Sequence, residues 1–191
     1  MENIYERPTL PETWSDKVKF VERIFKGSPI VDYMVDNEFF TAPASTKYHG
    51  AYVGGLFEHS YYVGYMLDQY TKKLGLTWAR PESPWIVGLL HDLCKIDSYE
   101  KVATNWNYDG ETTSTEFVYS EKPIIKGHGD KSLIYALSYT YLTPEEIACI
   151  RYHMGAYETE EWRDFDKAIK KYPNVLYTHM ADMHASKVFG V

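Results

Sequence analysis

The residues with chemical potential lie in the apolar parts of this chain, where polar groups are costly. The chain holds seven histidines. One of them, His59, falls on the inward side of an apolar helical pattern, in line with Leu56 and Val63. His91 and Asp92 interrupt the most apolar stretch of the sequence, Ile86 to Cys94, where burial should be deepest. A buried carboxylate is costly unless it is paired or holds a metal. A single inward histidine is ordinarily a hydrogen-bonded core residue, but an adjacent His-Asp must find partners for both members. Neutral imidazole and carboxylate together are the usual ligands of divalent Mn, Fe, Co, Ni and Zn. Lys95 follows Asp92 by three positions and so projects from the same side of a helix, one turn on. It can serve either as a charge at the site or as a cation closing a helix C-terminus. Cys94 with His91 is rejected as a nucleophilic pair, since a buried apolar helix offers no electropositive setting for a thiolate. Cys94 and Cys149 read as small buried hydrophobes in a reducing compartment.

The elements that must position these residues are overwhelmingly helical. Apolar residues recur at helical spacing over 14–26, where Gly27 ends the run, and again over 29–40. The longest periodic segment is 52–74, with Leu56, His59, Val63, Met66 and Leu67 on one face and Gly75 as its stop. Ser83-Pro84 predicts an N-cap followed by proline at the first helical position, opening a helix over 84–95. Residues 98–120 break the habit and predict a β-hairpin or a long loop, with Asp109-Gly110 between the two runs. Helix resumes over 128–142. Thr143-Pro144-Glu145-Glu146 then predicts a capping box and a helix running to about His153. Two further helices are expected, near 161–172 and 173–189. The fold class is therefore mainly all-α, one domain of 191 residues.

Composition bounds the function. With 45% hydrophobic residues the chain can build a real core, removing roughly 70% of its unfolded surface from water. A formal net charge of −7 argues against a protein that grips long nucleic acid through its phosphates. No run of about 18 apolar residues is present, and the first residues lack the pattern of a signal peptide, so a cytoplasmic protein with no membrane partner is expected. Tyrosine is abundant, with 18 residues. Tyr48, Tyr52, Tyr61, Tyr62, Tyr65, Tyr99 and Tyr157 lie near the motifs, either as rings for a nucleobase or as ordinary packing.

Taken in order, Gly54-Gly55-Leu56-Phe57-Glu58-His59, Leu89-Leu90-His91-Asp92-Leu93-Cys94-Lys95 and Ala181-Asp182 resemble the HD-domain metal-dependent phosphohydrolases. Gly127-His128-Gly129 and Tyr152-His153-Met154-Gly155 fall where the binuclear branch has two additional histidines. The pattern is closest to the 3′-to-5′ exoribonuclease branch, without its oligonucleotide-binding barrel. It departs at the last of these motifs, where that branch reads His-His-Gly. The resemblance implies an HD-type helical bundle with its core at about 49–187 and residues 1–48 as a helical extension. It implies that His59, His91, Asp92 and Asp182 hold one divalent ion, and that Asp92 bridges to a second completed by His128 and His153. One or two ions of Mn, Fe, Co, Ni or Zn would activate a water and neutralise charge on phosphoryl oxygens.

The same resemblance gives Asp92 and Lys95 catalytic roles, with Lys95 reaching a substrate phosphate. Lys131, three residues after His128, reads as a second phosphate contact or as a solvated helix lysine. His49 reads as a substrate contact able to donate a proton, or as a plain loop residue. His179 either supports Asp182 from the same helix face or packs the core, and Arg151 points away from the metals. The expected partner is a small phosphorylated substrate, a nucleotide or phosphodiester. Two other functions are carried beside this one. A short-substrate exoribonuclease would need a basic path, for which Lys95, Lys126, Lys131 and Arg151 are the contributors. A non-catalytic nucleotide-binding module would keep the fold without turnover.

Overall fold

The architecture was taken from a computed structural model that describes residues 6–106, 112–125, 127–157 and 162–191. It is 58% helix and 8% strand, mainly helical with one small antiparallel sheet. The helices are α1 (Trp14–Phe25), α2 (Ile30–Asp36), α3 (Gly55–Leu74), α4 (Ser83–Leu90), α5 (Gly129–Tyr139), α6 (Pro144–Arg151), α7 (Trp162–Lys171) and α8 (Asn174–His184). Strands β1 (Tyr99–Trp106) and β2 (Thr112–Tyr119) pair in register Tyr99 to Tyr119, with a bulge near Ala103 to Asn105. The expected hairpin is therefore present, while its Asp109-Gly110 turn lies outside the described residues. No helix among the described residues is long and apolar enough to cross a membrane.

The core centres on α3, which packs against α4 on one side and α8 on the other. One buried apolar cluster runs from Val21 and Ile30 through Leu56, Met66, Leu89 and Ile150 to Val191. The α3–α4 crossing depends on two glycines. A Cβ built on Gly88 would stand 2.3 Å from the Gly64 backbone, so the two helices touch main chain to main chain. No other residue type allows that approach. A second such contact sets α5 against the end of α6, where a Cβ on Gly129 would meet the Arg151 carbonyl at 2.1 Å. Each contact lies one residue or a few from a histidine of interest.

Helix boundaries follow local chemistry. Thr143 caps α6 with the anticipated reciprocal box, its hydroxyl accepting from the Glu146 amide and Glu146 accepting from the Thr143 amide at 2.8 Å. Glu146 goes further than capping. It is buried, takes a two-pronged contact from Arg80 (Nε and Nη2 both at 2.8 Å) and accepts from the Ser83 hydroxyl at 2.7 Å. This corrects the sequence expectation for Ser83: it is the first residue of α4 rather than its cap, because its hydroxyl is spent on Glu146.

The expected helix over 84–95 is also two elements. The α-helix ends at Leu90, Asp92 leaves helical geometry (φ −109°, ψ 21°), and a 3₁₀ turn runs Leu93–Asp97. At the far end, the helix expected over 173–189 widens at Ala185 into a π turn that ends at Phe189. Neither change moves a candidate residue away from the others.

Candidate metal centre

Three histidines meet at the centre of the bundle, and the main chain fixes how each presents its ring. His59 on α3 directs Nδ1 to a main-chain oxygen of Val191 at 2.9 Å. His91, at the end of α4, directs Nδ1 to the Gly88 carbonyl at 2.8 Å, and His153, just after α6, directs Nδ1 to the Ile150 carbonyl at 2.8 Å. A main-chain oxygen of this kind only accepts, so Nδ1 carries a proton in all three rings. Their Nε2 atoms face the other way, and these converge. The Nε2 atoms of His59 and His91 stand 3.2 Å apart, and the His91 and His153 rings meet edge to face at 4.9 Å.

Two carboxylates share this space. Asp92 Oδ2 lies 3.5 Å from His59 Nε2 and 3.4 Å from His91 Nε2, while Asp92 Oδ1 lies 3.5 Å from His153 Nε2 and 3.6 Å from His128 Nδ1. Asp182 on α8 brings Oδ1 to 3.2 Å from His59 Nε2. Apart from the Lys95 ammonium, 2.6 Å from Asp92 Oδ2, most of these spacings exceed a hydrogen bond. Asp92 Oδ1 and His153 Nε2 are buried with no hydrogen-bond partner at all.

Carboxylate oxygens and imidazole nitrogens that converge this closely call for a proton or another positive charge between them. The titration of the site expresses the same demand. Burial opposes charge on His59, but Asp182 and Asp92 prevail and push it up to about 9. Asp92 draws His128 up to about 10, with Cys94 adding to it against the effect of burial. Burial favours the neutral acid at Asp92 and Asp182, yet both are held below the usual carboxylate range: Asp92 chiefly by Lys95 and His91, Asp182 chiefly by His59. Burial lowers His91 from its ordinary value, against the pull of Asp92.

The donor set fits a divalent ion. Atoms bonded to one ion at about 2.0–2.3 Å stand roughly 2.8–3.8 Å from one another, the range in which these nitrogen and oxygen atoms lie. A carbonyl behind each ligating imidazole is also the usual arrangement at metal sites, since it fixes the tautomer. Three overlapping groups, each with donor atoms within 4.8 Å, could hold an ion: His59, His91 and Asp92; His91, His153 and Asp182; and Asp92, Cys94 and His128. All six ligands anticipated from the sequence thus come together, carried by α3, the end of α4, the start of α5, the end of α6, and α8.

Lys95 is buried, and the 3₁₀ turn explains its contact with Asp92, since side chains three apart eclipse there. Burial opposes its charge, but Asp92 more than offsets this and raises it. His49 stacks 5.1 Å from the His59 ring. Burial, with the nearby His59 and Lys95, pulls His49 down to about 4, so it is a neutral imidazole at pH 7 rather than a ready proton donor.

Lys131 is not the solvated helix lysine of one of its readings: it is buried, tied to Asp97 with Ser98 Oγ at 3.3 Å, and lines the same cavity as Cys94 and His128. Arg151 pairs with Asp130, away from the centre as expected. His179 supports a different residue from the one anticipated: its Nδ1 donates to the His153 carbonyl at 2.8 Å, not to Asp182. Lys126 lies outside the described residues. Of the tyrosines, Tyr61 and Tyr62 are core, and Tyr48, Tyr52 and Tyr157 are exposed.

Sequence reasoning missed Cys94 as a member of the group. Read as a hydrophobe, it brings Sγ to 3.9 Å from His128 Nδ1. A cavity of about 300 Å³ opens on Cys94 and His128 and runs under Tyr99 and Tyr119 of the hairpin. It shares Tyr99, Ser120, Pro123 and Ile125 with a neighbouring cleft of about 820 Å³ that also includes Tyr33, Asp97 and Lys101. Of the six residues, the larger cleft is lined by none and the smaller cavity by His128 alone. Among known proteins, no family model, no curated protein and no solved structure matches this chain.

Proposed function

We propose that the chain is a metal-dependent phosphohydrolase of the HD type, acting on a nucleotide or another small phosphate ester or diester. The observation that carries the proposal is the convergence of three Nδ1-protonated imidazoles and two carboxylates on one buried point, with Asp92 facing both halves of the cluster. His59, His91, Asp92 and Asp182 would hold one ion, and Asp92, His128 and His153 a second. Bound there, divalent ions supply Lewis acidity toward phosphoryl oxygens and a nucleophilic hydroxide at neutral pH.

The protein's own residues do the rest. An ammonium has three donors, and Asp92 takes one of those on Lys95, leaving the others for a phosphoryl oxygen. His49, neutral beside His59, can hydrogen-bond a substrate oxygen without adding charge. The imidazoles are held by main-chain oxygens and so need no reorganisation when charge develops. Tyr99, on the wall common to the two cavities, offers a ring to a base or other flat group extending from the phosphate. Two contiguous spaces of about 300 and 820 Å³ suit a small substrate rather than a polymer.

The test is hydrolysis of nucleoside monophosphates, cyclic nucleotides and an activated phosphodiester by protein loaded with Mn, Co or Zn. Turnover that vanishes on chelation and in Asp92→Asn is expected. Metal-loaded protein that binds nucleotides but hydrolyses none of these would overturn the enzymatic reading in favour of a binding module.

A further inference from the structure

We infer that Cys94 is a metal ligand, so that Asp92, Cys94 and His128 form a mixed thiolate, imidazole and carboxylate position beside the all-nitrogen-and-oxygen one. The inference rests on the metal-centre proposal above and revises its second position: Cys94 stands there in place of His153, whose donor atom groups instead with those of His91 and Asp182.

The geometry is specific. Asp92, Cys94 and His128 each bring one donor atom within 4.8 Å of the others. His128 aims Nδ1 at Asp92 Oδ1 (3.6 Å) and at Cys94 Sγ (3.9 Å) together, and neither is a good hydrogen bond. Asp92 Oδ1, the atom facing this position, is buried without a hydrogen-bond partner. The turn that carries Cys94 is pinned on both sides: its amide donates to Ser132 Oγ at 3.1 Å, and its carbonyl accepts from Ser98 Oγ at 2.7 Å. The thiol therefore does not drift into this position by side-chain freedom alone; its backbone is held there. His128 is half-exposed to the cavity of about 300 Å³, which gives an ion a way in and leaves open coordination for substrate. Three protein ligands with an open position is the pattern of catalytic rather than structural zinc.

Binding is a simple exchange. As the sulfur–metal bond forms, the S–H bond breaks heterolytically and its proton leaves to solvent, with no change of oxidation state. The consequence is selectivity. A thiolate favours zinc, cobalt or iron and disfavours manganese and magnesium, so this position discriminates among ions that the His/Asp position would accept alike.

Cobalt(II) reads the sulfur directly, because only a thiolate ligand gives an intense near-ultraviolet charge-transfer band. Apo-protein titrated with cobalt is expected to show that band, and Cys94→Ser is expected to lose it while still taking up cobalt at the His59 position. Cys149→Ser, which changes the other buried thiol, is expected to keep it. Zinc affinity in Cys94→Ser is expected to fall by at least about tenfold, with manganese affinity little changed. Zinc K-edge absorption on the unaltered protein needs no variant and is expected to find sulfur at about 2.3 Å. Cobalt uptake without the band, or a band that survives in Cys94→Ser, overturns the assignment and leaves the metal centre standing. Failure to bind cobalt or zinc at all overturns both.

Discussion

Asp92 is the residue on which the site turns, because one oxygen faces His59, His91 and Lys95 and the other faces His128 and His153. Asp92→Asn keeps the shape and removes the charge. It is expected to lose all tightly bound metal, seen as a drop in metal per chain by inductively coupled plasma mass spectrometry. Asp92→Ala should in addition strand the buried Lys95 ammonium, costing about 3–5 kcal/mol of stability, measurable by urea unfolding. His128→Ala is expected to lose one ion of two, since His128 touches only one oxygen of Asp92. An unchanged count would mean a single-ion site. At this scale much was legible in the sequence: a His-Asp pair in the most apolar run has few bland explanations. Cys94 was not, because a thiol in an apolar run looks like packing until the fold brings His128 to it.

Helix geometry holds those residues in place, and two contacts show it. Gly88 against Gly64 lets α4 lie directly on α3, which is what brings His91 to within 3.2 Å of His59. Gly88→Ala inserts a methyl where main chain already stands and must push the helices apart. A loss of about 1–3 kcal/mol is expected, with weaker metal retention although no ligand has changed. Normal stability and metal content in that variant would contradict this account of the crossing.

The start of α6 gives a prediction in pH. Burial works against the Glu146 carboxylate, but Arg80, the Thr143 amide and Ser83 prevail and hold it below its ordinary value of 4.5. Folded protein therefore binds the proton more weakly than unfolded protein. The stability this gives is fully present above about pH 4.5 and is lost as the pH falls through the lower folded value. Glu146→Gln should cost about 3 kcal/mol at pH 7, near the low end for a buried pair because Arg80 is a third exposed. The melting-temperature gap to the unaltered protein should narrow below pH 4.5. The capping box was legible in Thr143-Pro144-Glu145-Glu146, but the partners from residues 80 and 83 are tertiary and leave no local trace. For the same reason Ser83 reads as a cap in sequence and is a buried donor in the fold.

Across the whole molecule, the mainly helical class and the hairpin follow from periodicity and turn chemistry, which are local. The convergence of residues 59, 91, 92, 128, 153 and 182 is not local, and only the order of motifs along the chain anticipated it. What the sequence left undecided is what depends on spaces between elements: the position of Lys131 against Asp97, the main-chain oxygens behind His59, His91 and His153, and the joined cavities under the hairpin. The central claim is that this convergence exists to hold divalent metal. Its most direct test is the metal content of the purified chain, measured before and after reconstitution with Mn, Co or Zn, beside Asp92→Asn prepared in the same way. Two first-row ions per chain, absent from the variant, is the result predicted. A chain that stays metal-free after reconstitution while remaining folded would contradict the account.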